Sequence, residues 1–75
     1  MRTQDGEILG SLIRKLRTER GLTQEELAER TDLSVSYIGF IERGENVPTL
    51  TIVLNLADAL DVDAAELVRE VARAR

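Results

Sequence analysis

Apolar residues recur three and four positions apart along most of this chain, and nowhere do they alternate as in a strand. From Glu7 to Arg20, Ile8, Leu9, Leu12, Ile13 and Leu16 keep helical spacing until Gly21 stops the run. Leu9, Ile13 and Leu16 form the expected core stripe, with Leu12 off its centre. Thr23-Gln24-Glu25-Glu26 then reads as a capping box, with Leu22 and Leu27 placed to staple it. This second helix is short, ending near Arg30 or Thr31, and Asp32 is expected in the left-handed conformation that Asp tolerates. Leu33-Ser34 repeats the same start signal, so a third helix over Val35 to Arg43 should bury Ile38 and Ile41 and end at Gly44. Two short helices about three residues apart have the spacing of a helix-turn-helix, here about 23–43. Thr49 caps a fourth helix, Leu50 to Leu60, apolar on more than one face, which predicts either a central helix or a second contact. Asp63 and Glu66 form a D-x-x-E box opening a fifth helix, with Leu67, Val68 and Val71 on one side and basic residues at its end. The expectation is an all-α, compact five-helix bundle: a polar arm over residues 1–6 and one domain over 7–75.

Composition narrows the chemistry. At 75 residues the chain fits one domain, and it holds no His, Cys or Trp. That excludes disulfides, zinc sites built on Cys or His, thiol nucleophiles and imidazole bases. No enzyme, no cofactor and no small-molecule substrate are expected. No segment approaches the ~18 to 20 apolar residues of a membrane span, and no signal-peptide run is seen, so a cytoplasmic protein with no membrane partner is the default. The formal net charge of −4 argues at first sight against nucleic acid. It is unevenly spread: +2 over residues 1–20, −4 over 21–48 and −2 over 49–75. The acids Glu25, Glu26, Glu29 and Asp32 need not face a groove, whereas Arg14, Lys15, Arg17 and Arg43 are expected to gather on one side.

Taken together, LTQEELAER, the Tyr37-Ile38-x-x-Ile41-Glu42-Arg43-Gly44 segment and Pro48-Thr49-Leu50 followed by LNLADAL resemble the Cro/C1-type (XRE) helix-turn-helix family of transcriptional regulators, with its lambda-repressor-like DNA-binding domain. The resemblance spans Leu9 to Val68. It implies that the third helix lies in the major groove of double-stranded DNA, with Val35, Ser36, Gly39 and Phe40 toward the bases. It further implies phosphate contacts from Gln24, at the positive end of the second helix, and from Tyr37, Arg43, Asn46 and Thr49. Arg17 matches a helix-one arginine that pairs with the recognition-helix glutamate, here Glu42, either as a structural ion pair alone or with a phosphate contact besides. The family is bacterial or phage-encoded and acts in the cytoplasm.

Where the family usually carries Gln, Arg, Lys or Ser, only Ser36 is polar here; Val35 and Phe40 suit thymine methyl groups, and none of the four outward positions reads a guanine. Phe40 has a second reading, as a core or protein-contact residue. Leu67, Val68 and Val71, with Ile52 and Leu54 behind them, either close a monomer core or form the interface of an isologous homodimer. The dimer is favoured because a chain this short buries only roughly 60% of its unfolded surface. Two functions follow: a dimeric regulator occupying a pseudo-palindromic operator, or an antitoxin-like protein-interaction module that binds DNA weakly or not at all.

Overall fold

Residues 3–75 are described by a computed structural model. Among them are five α-helices and no strand: α1 (Gln4–Glu19), α2 (Gln24–Thr31), α3 (Val35–Glu42), α4 (Leu50–Ala59) and α5 (Ala64–Ala74). Their main packing partners close a ring: α3 lies between α1 and α2, α2 meets α4, α4 meets α5, and α5 returns to α1. The ring encloses one core, in which Ile13, Leu27, Ile38, Ile41, Leu56 and Leu60 are fully buried. Each such side chain contributes about 1.5–3 kcal/mol by leaving water.

Local chemistry sets the helix ends. Thr3, Thr23, Ser34, Thr49 and Asp63 are the N-caps, and each accepts a backbone N–H of the first turn. Four left-handed residues, Gly21, Asp32, Gly44 and Asp61, follow the first four helices. Beyond each, a backbone N–H closes back over the last turn: Leu22 to Arg17, Leu33 to Ala28, Glu45 to Phe40 and Val62 to Ala57, at 2.9–3.1 Å.

Three expectations change. The arm over residues 1–6 is shorter, because Thr3 caps α1 through its Oγ1, which accepts the Gly6 N–H at 3.0 Å, so residues 4–6 are helical; residues 1 and 2 lie outside the described residues. The box at α5 is half-formed: Asp63 caps, but Glu66 is drawn to Arg69 one turn on. And of the two readings of α4, a central helix or a second contact, the central one does not hold. The helix buries Val53, Leu56 and Ala57 and leaves Leu50 and Leu54 in solvent.

The close approach of α1 to the end of α3 depends on Gly10. A Cβ there would collide with the carbonyl oxygen of Ile41 and come within 2.9 Å of that of Glu42, both backbone atoms that cannot swing aside. Gly10→Ala therefore sets helix propensity against overpacking, and overpacking wins. The substitution should cost at least about 1–3 kcal/mol, read as a fall in Tm of about 4–8 °C per kcal/mol. Ser11→Ala, on the exposed side of the same helix, should leave Tm unchanged or raise it.

The capping box at α2 brings a pH dependence. Thr23 donates its backbone N–H to the Glu26 carboxylate at 2.9 Å, and this bond, helped by the nearby Thr23 side chain, lowers the Glu26 pKa below its ordinary 4.5, while the Thr23 hydroxyl accepts the Glu26 backbone N–H at 3.0 Å. A carboxylate whose folded pKa is depressed stabilises the fold above its unfolded value and loses that contribution as pH falls through the folded value. Glu26→Gln keeps the hydrogen-bonding shape without the charge. Its Tm deficit relative to the parent should be present at pH 7 and close as the pH drops below 4.5.

Candidate nucleic-acid interface

Helix α3 turns three sides to three neighbours. Ile38 and Ile41 enter the core, Glu42 turns toward α1, and Val35, Ser36 and Phe40 face solvent. Val35 is 41% and Phe40 43% exposed, so the core reading of Phe40 does not hold. A helix only eight residues long gets its orientation from tertiary contacts.

The firmest of these is an ion pair. Arg17 donates from Nε to Glu42 Oε2 at 2.6 Å and from Nη2 to Oε1 at 3.0 Å, and its Nη1 reaches the Leu22 carbonyl at 2.8 Å. The two side chains are 12% and 3% exposed. Glu42 also accepts the Gln24 side-chain amide at 3.0 Å. One carboxylate thus joins α1, the start of α2 and the end of α3. The bidentate bond to Glu42 raises the Arg17 pKa, against the opposing effect of burial, and Glu25 adds a smaller push in the same direction. Arg17 is therefore committed inward, as is the amide of Gln24.

At the other flank of α3, Tyr37 is half-buried and donates its hydroxyl to Asn46 Oδ1 at 3.0 Å. This fixes the loop after the helix and leaves the Asn46 amide N–H groups available. Thr49 is occupied as the cap of α4, accepting the Ile52 N–H at 3.3 Å, with the rest of the residue exposed.

Gly39 is not the open position that its place on the helix implied. It is buried, and what covers it is Arg43: a Cβ on Gly39 would lie 2.9 Å from Arg43 Nη1. The Arg43 guanidinium also sits 5.2 Å from the centroid of the Phe40 ring and donates from Nε to Glu45 Oε2 at 2.8 Å. A helical side chain leans over the turn N-terminal to its own Cα, so Arg43 covers residue 39. The spacing of Gly39 and Arg43, four apart, was the signal in the sequence. Lys15 is also displaced from its expected place. It lines a groove between α1 and α5, with Leu12, Leu16 and Glu70, because five helical steps from Gly10 carry it about 140° round from the α3 side.

Leu67, expected at an interface, is a core residue at 2% exposure. Val68 (52%) and Leu54 (44%) are exposed, and Ile52 and Val71 are half-buried. Leu50, at 69% the most exposed of the large apolar residues among those described, was not in the expected set. No described helix is long and apolar enough to cross a membrane.

The geometry of α2 and α3, joined through the left-handed Asp32, coincides with a helix-turn-helix family model that matches residues 13–67. The chain belongs to the Cro/C1-type (XRE) helix-turn-helix family of DNA-binding transcriptional regulators. It is 44% identical over 62 residues to the HTH-type transcriptional regulator y4dJ of Sinorhizobium fredii, an alignment covering 83% of this chain and 80% of that protein. It is 43% identical over 63 residues to YazB of Bacillus subtilis, covering 84% and 91% respectively. The restriction-modification controller protein C.AhdI of Aeromonas hydrophila superposes with a TM-score of 0.83 at 43% identity, over 87% of this chain and 98% of that one. The chain thus has the helix-turn-helix fold of a solved controller protein.

The Arg17–Glu42 pair should dominate the mutational response of the helix-turn-helix. Glu42→Ala leaves a nearly buried guanidinium without its counter-charge, and should cost about 3–5 kcal/mol in chemical unfolding. Replacing both partners, Arg17→Met with Glu42→Leu, should cost less than the single change, because no charge is left stranded.

Proposed function

We propose that this protein is a cytoplasmic, sequence-specific DNA-binding regulator that occupies a pseudo-palindromic operator as a homodimer. The observation that carries the reading is the solvent-facing stripe of α3, Val35, Ser36 and Phe40, held out from the bundle by the Arg17–Glu42 pair. In this reading the N-terminal end of α3 meets base edges, Val35 and Phe40 against thymine methyl groups and Ser36 as a hydrogen-bonding group. The Asn46 amide, the Thr49 turn and the backbone N–H groups opening α2 at Gln24 approach phosphates on either side.

The dimer rests on apolar surface that the monomer leaves open. Val68 and Leu54 stand exposed, Ile52 and Val71 half so, and Leu50 joins them in place of the buried Leu67. A groove lined by Val47, Val53, Val68 and Val71 runs beside them. A two-fold axis through this face buries the same patch from both copies. Each copy measures 29 × 26 × 22 Å, so two abreast can present recognition helices one DNA turn, about 34 Å, apart. Regulation would then be steric, by blocking polymerase or by recruiting it from an adjacent site.

A mobility-shift titration against the DNA upstream of its own gene tests the reading. Binding should be present near 50 mM salt and weaker near 200 mM, losing about 0.9 in log K per unit of log salt for each phosphate that a Lys or Arg neutralises. No shift at low salt would favour the protein-interaction reading, for which the exposed Val35 and Phe40 provide an apolar surface. Sedimentation should show a dimer at tens of micromolar, and Leu54→Glu with Val68→Glu should give a folded monomer with reduced operator affinity. A monomeric parent protein at that concentration removes the two-fold arrangement.

A further inference from the structure

The resemblance makes Arg43 a phosphate contact of the loop, but its guanidinium lies over Gly39, on the outward stripe of α3. We infer that Arg43 is the residue that reads a guanine in each half-site, and that Gly39, Phe40 and Glu45 position it. The inference rests on the DNA-binding reading above and assigns to it a residue that fixes specificity.

Three features favour a base over a phosphate. Ser36, Gly39, Phe40 and Arg43 stand at i, i+3, i+4 and i+7, the stripe with which other recognition helices reach base edges, and here its first three members supply no guanidinium. The Arg43 side chain is held on that stripe from three sides: glycine leaves the space beneath it, the Phe40 ring flanks it at 5.2 Å, and Glu45 Oε2 holds Nε at 2.8 Å. With Nε committed to Glu45, Nη1 and Nη2 form the end-on fork that matches the O6 and N7 acceptors of guanine. The third feature is electrostatic. A phosphate bound by Arg43 would bring its own negative charge against the Glu45 carboxylate, whereas the guanine acceptors carry no net charge. Glu45 therefore favours a base edge and disfavours a bare phosphate. Phe40, beside the guanidinium, would place a thymine methyl next to that guanine in the site.

The experiment is selection of bound duplexes from a randomised library, followed by affinity and salt titrations, with the parent protein, Arg43→Lys and Gly39→Ala. Lysine keeps the positive charge and loses the planar fork. The parent should enrich a guanine in each half-site by roughly 5- to 150-fold over other bases. Arg43→Lys should flatten that one column, leave the other columns unchanged and preserve both non-specific affinity and the salt slope. Gly39→Ala keeps Arg43 but fills the space beneath it, and should flatten the same column while the helix persists by circular dichroism. If Arg43→Lys binds with every column unchanged, Arg43 is a phosphate contact and the inference fails while the DNA-binding reading stands. If the parent protein enriches no motif, both fail.

Discussion

Removing a guanidinium and a carboxylate from water costs several kcal/mol for each ion, and a bidentate contact in good geometry offsets most of that cost. In this protein the cost is met at one point, where Arg17 of α1 grips Glu42 at the end of α3 and Gln24 at the start of α2 adds a third hydrogen bond. An apolar contact at that junction could slide by an ångström with little penalty. The ion pair cannot, because its hydrogen bonds fix both distance and direction. The helix expected to meet DNA is short and carries no charged first turn of its own. Its angle to the two helices behind it is set by Glu42. Gly10 belongs to the same device: with any larger residue there, α1 could not approach the Ile41 and Glu42 carbonyls closely enough for Arg17 to reach.

Helix starts and stops were readable from the chain because they are local. Thr23, Ser34, Thr49 and Asp63 lie within three residues of the N–H groups they cap, and Gly21, Asp32 and Gly44 end their helices by backbone geometry alone. The early start of α1 was hidden by Gly6, which looks like a breaker in sequence. In the fold it gives Val47 room: a Cβ there would sit 3.0 Å from Val47 Cγ2. Side-chain partnerships were less readable. Tyr37 and Asn46 each looked like a phosphate ligand, and they bond each other. Leu67 and Val68 are adjacent and equally apolar, yet one step of the helix separates a core residue from an exposed one. A pattern gives the face of a helix, and only the neighbouring helix decides which edge of that face is covered.

Of Arg14, Lys15, Arg17 and Arg43, expected together on one side, Lys15 lies elsewhere and two of the others are paired with carboxylates, which bears on how an acidic protein could hold DNA. Arg17 is neutralised by Glu42, Arg43 is paired with Glu45, and Lys15 lies beside α5. A broad basic surface would bind any duplex, because phosphate neutralisation supplies most non-specific affinity. Here little of that term is available, and the net charge of −4 opposes it further. What counts for a regulator is the ratio of specific to non-specific binding, set against the large excess of competing sites in a genome. A protein whose cations nearest α3, Arg17 and Arg43, are engaged by carboxylates starts from low non-specific affinity, so a few well-placed base contacts already give a useful ratio. The penalty is weak absolute binding by a single copy. In the proposed homodimer, coupling two copies through the exposed apolar face of α4 and α5 would recover affinity, since the second half-site would be bound at high effective concentration. Under the proposed function, the acidic surface and the uncovered Leu50, Leu54 and Val68 would belong to one design: the first would lower affinity for the wrong DNA, and the second would restore it only where two half-sites stand one turn apart.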